Sequence, residues 1–340
     1  MEPRKAQVGA NRPCHPDAGP GRGSGLGPHK VPAAHREGAR NSRHHSWSNL
    51  LATAVWPALD DETRARYAAE LEGFAVAHAL NTDRNAELRA QLERVVVRFN
   101  AAGIEPIVLK GAAHVATDLW PTPGSRLISD IDLLIDADEI DHAFSVLEDY
   151  AGAGTQDRGH PEIIALHKHM LPVIGAGGPA VVELHHTVLA GAAARLAPFD
   201  VLRGRAHSIG LGHGHAWILS PTDRVLTAML HGLAGSGSYL VPTLHMRDML
   251  DIHFLDATYG TDIEWRGLQD HMTSNGWAVA LEITNTCLAR FTGMTPPFRR
   301  SGARAPASTP HVGSGRWNAP TRSRDERERR QITSSSTSGA

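Results

Sequence analysis

Apolar side chains recur at helical spacing twice before any strand signal appears. Tyr67, Leu71, Phe74, Val76 and Leu80 lie roughly along one face of a helix expected over Asp61 to Leu80, with Asp60 or Asp61 as its N-cap. Asn85 to Ala101 repeats the form with Leu88, Leu92, Val95, Val96 and Phe99 between charges, and Gly103 ends it. The period then changes. Glu105 to Leu109 is a short apolar run, Ala112 to Trp120 reads as a helix, and Pro121, Pro123 and Gly124 break the chain before a strand from Asp130 to Ile135. Asp138 to Tyr150 reads as a helix capped by Asp138, with Ile140, Ala143, Phe144 and Leu147 inward.

A loop is expected over 152–160, then a strand from His169 to Ile174, a turn over Gly175 to Pro179 and a strand around Glu183, the last pair forming a hairpin. Ala206 to Leu219 has weak β character. From Ser220 the chain is helical: Ser220-Pro221-Thr222-Asp223 reads as an N-cap with proline in the first turn, followed by Val225, Leu226, Met229, Leu230 and Leu233. Further helices are expected over Thr243 to Leu255, Ile263 to Ser274 and Trp277 to Phe291. Residues 1–45 and 299–340 hold few large apolar side chains, so burial does not offset their ordering entropy and both are expected to be disordered.

Composition narrows the function classes. The 340 residues, 41% hydrophobic, carry a formal net charge of -2, which gives no general signal for nucleic-acid binding. Only Cys14 and Cys287 are present, too few for a disulfide framework. No apolar run reaches the length of a membrane span and the N-terminus lacks a signal-peptide core, so no membrane association is expected and the cytoplasm is the default location.

The chemistry concentrates in residues 105–136. Lys110-Gly111 sits where a strand feeds a helix, an arrangement of free N–H groups and an ammonium suited to phosphate. On a strand the side-chain period is two, so Asp130 and Asp132 share one face while Ile131 and Leu133 share the other. Paired carboxylates repel unless a cation joins them, and hard oxygen donors favour Mg²⁺ or Mn²⁺. On the strand Ala180 to His185, Glu183 shares a face with Val181 and His185. Of the 21 histidines, His35, His44 and His45 lie in the first tail. His167-x-His169 has the spacing of a metal pair without a third ligand nearby, and His185, His186, His231 and His245 are candidates to line the site. Arg247 and Asp251 are spaced for an ion pair along one helix.

The order Lys-Gly, helix, turn and Asp-x-Asp strand resembles the nucleotidyltransferase superfamily built on the DNA polymerase β-like core. More closely, Leu109-Lys110-Gly111-Ala112-Ala113 followed by Arg126 and Ser129-Asp130-Ile131-Asp132-Leu133-Leu134 is similar to an uncharacterised nucleotidyltransferase family of bacterial genomes, over roughly residues 90–260. The resemblance implies an α/β (α+β) fold: a nucleotidyltransferase core with a mixed β-sheet flanked by helices over 46–219, then a C-terminal helical domain over 220–298. It implies Asp130, Asp132 and Glu183 as catalytic and metal-holding carboxylates. It implies nucleotide binding by Lys110, Gly111, Ala112, Arg126 and Ser129. Arg126 is alternatively a partner for Asp130. Where many members of the wider superfamily have Gly-Ser or Gly-Gly, this chain has Gly111-Ala112 and lacks the hydroxyl.

The implied activity is Mg²⁺- or Mn²⁺-dependent transfer of a nucleoside monophosphate from a nucleoside triphosphate such as ATP to a small molecule, a protein or an RNA end. Two alternatives stand beside it: a nucleotide-binding, antitoxin-like partner of the same fold, and an antibiotic nucleotidyltransferase.

Overall fold

The computed structural model describes residues 52–151, 168–175, 178–234, 245–295 and 297–298. The expected tails, the loop over 152–160, His167 and Cys14 lie outside these residues. After a short helix α1 (Asp61–Arg66), capped by Asp60 through its bond from Thr63 N–H, a single helix α2 (Ala68–Ala101) runs for 34 residues. The expected helices end at Leu80 and resume at Asn85, which implies a break between them. The structure has none, because the polar side chains here bind backbone elsewhere.

Asn81 Nδ2 donates to Gly124 O at 2.8 Å and Arg126 O at 3.0 Å, and Asn85 Nδ2 donates to Pro123 O at 2.6 Å and Arg126 O at 2.8 Å. Arg84 donates to Ile128 O and Ser129 O. Two turns further on, Gln91 takes both polar groups of Ala180, donating to its O at 2.8 Å and accepting from its N–H at 2.9 Å. The turn lies so close to α2 that a Cβ on Gly124 would stand 2.6 Å from His78 O, which explains glycine there.

Five strands form a mixed sheet in the order β3-β2-β1-β5-β4. They are β1 (Ile107–Val108), β2 (Asp130–Leu134), β3 (Val181–His185), β4 (His207–Leu211) and β5 (Gly214–Ile218). β1 is antiparallel to β2 and parallel to β5, β2 is parallel to β3, and β4 and β5 form an antiparallel hairpin. This is the expected α/β fold with a mixed sheet flanked by helices. The expected hairpin before β3 reduces to two isolated bridges, His169 to His185 and Val173 to Val182.

Helix α3 (Lys110–Ala116) starts two residues earlier than the sequence suggests and stops before Trp120. α4 (Ile140–Ala151) follows β2 and starts two residues later than expected, with Asp138 N–H donating to Asp136 Oδ1 at 3.1 Å ahead of its first turn. α5 (Phe199–Arg205) leads into β4. The C-terminal helices are α6 (Pro221–Ala234), α7 (Met246–Tyr259), α8 (Trp265–Ser274) and α9 (Ala278–Thr292). Ser220 Oγ accepts from Asp223 N–H at 3.2 Å, as the capping motif leads one to expect. Among the described residues no helix is long and apolar enough to cross a membrane.

Pleat alternation divides the core in two. Ile131, Leu133, Val182 and Leu184 pack with Leu88, Leu92, Val95 and Phe99 of α2 and Phe144 of α4. Ile107, Leu134 and Leu219 pack instead with Leu226 and Leu230 of α6, Ile252 of α7 and Leu268 of α8. One buried ion pair ties the second layer to the turn before β2. Asp251 on α7 accepts from Arg126 Nε at 2.9 Å and Nη2 at 2.7 Å and from Trp120 Nε1 at 2.8 Å, with His114 Nε2 at 3.3 Å. Burial alone raises the pKa of Asp251, but Arg126 and then His114 outweigh it and hold the carboxyl far below its usual range.

Asp251→Asn should cost about 3–5 kcal/mol at neutral pH, because Arg126 is left buried without its counter-charge. The depressed pKa means that the stabilisation by Asp251 is complete above the unfolded carboxyl pKa of about 4 and is lost as the pH falls below it. The gap between the denaturant midpoints of wild type and variant should therefore begin to narrow only as the pH is lowered below about 4. Gln91→Ala should cost about 2–3 kcal/mol by the same assay, since both buried polar groups of Ala180 lose their partner.

Candidate functional site

The face of β2 and β3 turned away from α2 and α4 carries the polar groups. β2 and β3 run parallel with Asp132 directly opposite Glu183 and Asp130 opposite Val181, so pleating places Asp130, Asp132 and Glu183 on one face. Asp132 is buried, with 1% of its surface exposed. Its Oδ1 accepts from Lys110 Nζ and from His185 Nε2, the latter at 2.6 Å. His185 Nε2 also stands 3.6 Å from Glu183 Oε2, and His169 Nε2 stands 3.9 Å from the same oxygen.

These neighbours separate the three carboxylates electrostatically. Burial raises the pKa of Asp132, but Lys110 and then His185 outweigh it and keep the group ionised far below the usual range. His185 lowers Glu183 against opposing burial and the charge of Asp132. For Asp130 the balance runs the other way: burial and then the charge of Asp132 raise its pKa, against Lys110 and a bond from Ser129. Repulsion between two carboxylates on one strand thus falls on Asp130.

Lys110 opens α3 with φ 47°, a left-handed conformation uncommon for a side-chain-bearing residue. Gly111 needs its missing Cβ for space, since one there would meet the Ile128 side chain at 3.1 Å. Ala112 is fully buried in the layer against α2, so a serine hydroxyl at this position would point into apolar core. Ser129 is exposed at the mouth of β2 and bonds to Asp130. A pocket beside the strands is lined by Lys110, Gly111, Arg126, Asp130 and Asp132 from the sheet side, and by Arg224, His231, Arg247 and Asp248 from α6 and α7. Glu183, Ala112 and Ser129 do not line this pocket.

Two expected pairings differ. Arg126 pairs with Asp251 rather than Asp130, and Arg247 lies 3.8 Å from Asp248 rather than pairing with Asp251. The reason is reach across the fold: α7 turns Asp251 inward onto the turn before β2, which local helical spacing does not reveal. His231 accompanies Asp248, at 3.0 Å, and its ring stands 5.7 Å from that of His245.

Lys168 escaped the sequence reading. It is 8% exposed, its O accepts from His186 N–H at 3.1 Å, and its ammonium lies within the field of Lys110, Asp132, Glu183 and Asp130. Burial and then Lys110 push its pKa down to about 8, against the carboxylates. One signal was available: lysine occurs only at positions 5, 30, 110 and 168, so half the lysines of an arginine-rich chain converge on this face.

The donor set suits a cation. Asp132, Glu183 and His185 each offer a ligand atom, all within 4.8 Å of one another. Two carboxylate oxygens and an imidazole nitrogen, partly enclosed on adjacent strands, fit a divalent metal.

No curated protein and no solved structure matches the chain. The family described as uncharacterised nucleotidyltransferase matches residues 42–293, a wider span than the motif resemblance and one that includes the sheet, the carboxylate face and the helices α6 to α9. On that match, the chain belongs to this uncharacterised nucleotidyltransferase family.

Proposed function

We propose that this protein is a metal-dependent transferase that moves a nucleoside monophosphate from a nucleoside triphosphate, ATP among them, to an acceptor hydroxyl or phosphate. One observation carries the reading: the parallel register that sets Asp132 beside Glu183 on the same face as Asp130, with Lys110 in contact and an open pocket alongside. The sheet region 46–219 serves as the nucleotidyltransferase core and 220–298 as a helical part that closes over the pocket. The cytoplasm is the proposed setting.

In the reaction the acceptor oxygen attacks the α-phosphorus, the bond to the β-phosphate oxygen breaks, pyrophosphate leaves with its electrons, and the proton of a hydroxyl acceptor passes to solvent. A divalent cation held by Asp130, Asp132 and Glu183, Mg²⁺ or Mn²⁺, supplies charge stabilisation for the attacking and leaving oxygens. Lys110 serves the phosphates as a point charge, exchanging its contact with Asp132 for the substrate's charge. Gly111, which lines the pocket, offers its backbone to the triphosphate, whereas Ala112 and Ser129 lie outside that lining. Arg126 acts through position: locked to Asp251, it fixes the turn that delivers Ser129 and Asp130.

Incubation with each α-labelled nucleoside triphosphate and Mg²⁺ or Mn²⁺ in host lysate tests this reading. Wild type should transfer label to a lysate component, and the Asp130→Ala/Asp132→Ala variant should fall by at least about a thousandfold. Folded wild-type protein that binds nucleotide yet transfers no label under any metal would replace catalysis with a binding role. Lys110→Ala should weaken nucleotide binding by about tenfold, read by titration calorimetry, while the circular dichroism spectrum stays unchanged.

A further inference from the structure

His185 is the most enclosed polar side chain on the carboxylate face. It has no exposed surface, and it lies between the two carboxylates of neighbouring strands: Nε2 is 2.6 Å from Asp132 Oδ1 and 3.6 Å from Glu183 Oε2. Two acidic oxygens and one nitrogen therefore converge on a single point, and the strand register holds all three. Glu183 and His185 are alternate residues of β3, and Asp132 stands opposite Glu183 on β2. The other ring nitrogen, Nδ1, is buried with no hydrogen-bond partner among the described residues. Without a metal Nε2 donates to Asp132 Oδ1; a cation bound at this point would take the place of that proton on the Nε2 lone pair, the ring proton passing to Nδ1.

We infer that His185 is a direct metal ligand, so that Asp132, Glu183 and His185 form a mixed nitrogen–oxygen site selecting a first-row transition ion of the Mn²⁺ class over Mg²⁺. The chemistry follows from ligand hardness. Mg²⁺ dehydrates reluctantly and favours oxygen, whereas an imidazole donor adds affinity for transition ions. This inference deepens the proposed function by naming the metal of the same site, and it rests on that reading only for the presence of a metal, not for turnover.

The test is pulsed electron paramagnetic resonance of untagged full-length protein loaded with Mn²⁺ alone, without nucleotide. Wild type should show hyperfine coupling from a directly bound ¹⁴N, replaced by ¹⁵N coupling when the protein is grown on ¹⁵N-histidine; this arm requires no variant to fold. The nitrogen signal should vanish in His185→Gln and persist in His169→Gln. In calorimetry wild type should bind Mn²⁺ at least about tenfold more tightly than Mg²⁺, and His185→Gln should reduce that preference severalfold. Mn²⁺ bound without nitrogen coupling in wild type, coupling retained in His185→Gln, or no Mn²⁺ binding would each overturn the inference. Label transfer without nitrogen coupling removes the ligand and leaves the transferase reading; nitrogen coupling without label transfer does the reverse.

Discussion

Side-chain amides on one long helix hold the backbone that carries the carboxylates. Asn81 and Asn85 of α2 bind the carbonyls of Pro123, Gly124 and Arg126 just before β2, and Gln91 binds both polar groups of Ala180 just before β3. Neither lead-in can satisfy itself through a strand ladder, and buried backbone groups left unpaired are costly. The helix therefore sets where both strands begin, and the parallel register that follows puts Asp132 opposite Glu183. Stiffness over 34 residues makes one element a common reference for two strands.

Charge is arranged so that this placement is tolerable. Asp132 is ionised inside the protein because Lys110 and His185 both reach Oδ1, and Glu183 shares the same imidazole. Asp130 carries the repulsion that remains. A second buried acid, Asp251, does for the pocket wall what Lys110 does for the strand: it gathers Arg126, Trp120 and His114 onto α7 and joins the C-terminal helices to the turn before β2. The pocket between these layers mixes charge on both sides: Lys110, Arg126, Asp130 and Asp132 face Arg224, His231, Arg247, Asp248 and Asp251.

Much of this arrangement is legible in local pattern. Period-two alternation correctly separates Asp130 and Asp132 from Ile131 and Leu133, because successive side chains on a strand point to opposite faces. The capping motif at Ser220 and the helical stripes of α6 and α9 read through for the same reason: each depends on neighbours within a few residues. Pattern misled where a polar residue had a distant partner. Asn81 reads as a helix interruption and is a clamp across 43 residues to Gly124. Asp251 reads as the partner of Arg247 and is the partner of Arg126, 125 residues away.

The sequence by itself determined the family, the mixed α/β character and the cluster of residues in which to look for chemistry, since these rest on composition, periodicity and short motifs. Only the tertiary structure decided who touches whom on the carboxylate face. Lys168 and His185 enter it through strand pairing, while Arg126 is withdrawn from Asp130 by α7. The physical reason is that charge and ligation act over a few ångströms of space. Sequence periodicity fixes which face a side chain takes, but not which other segment arrives to meet it.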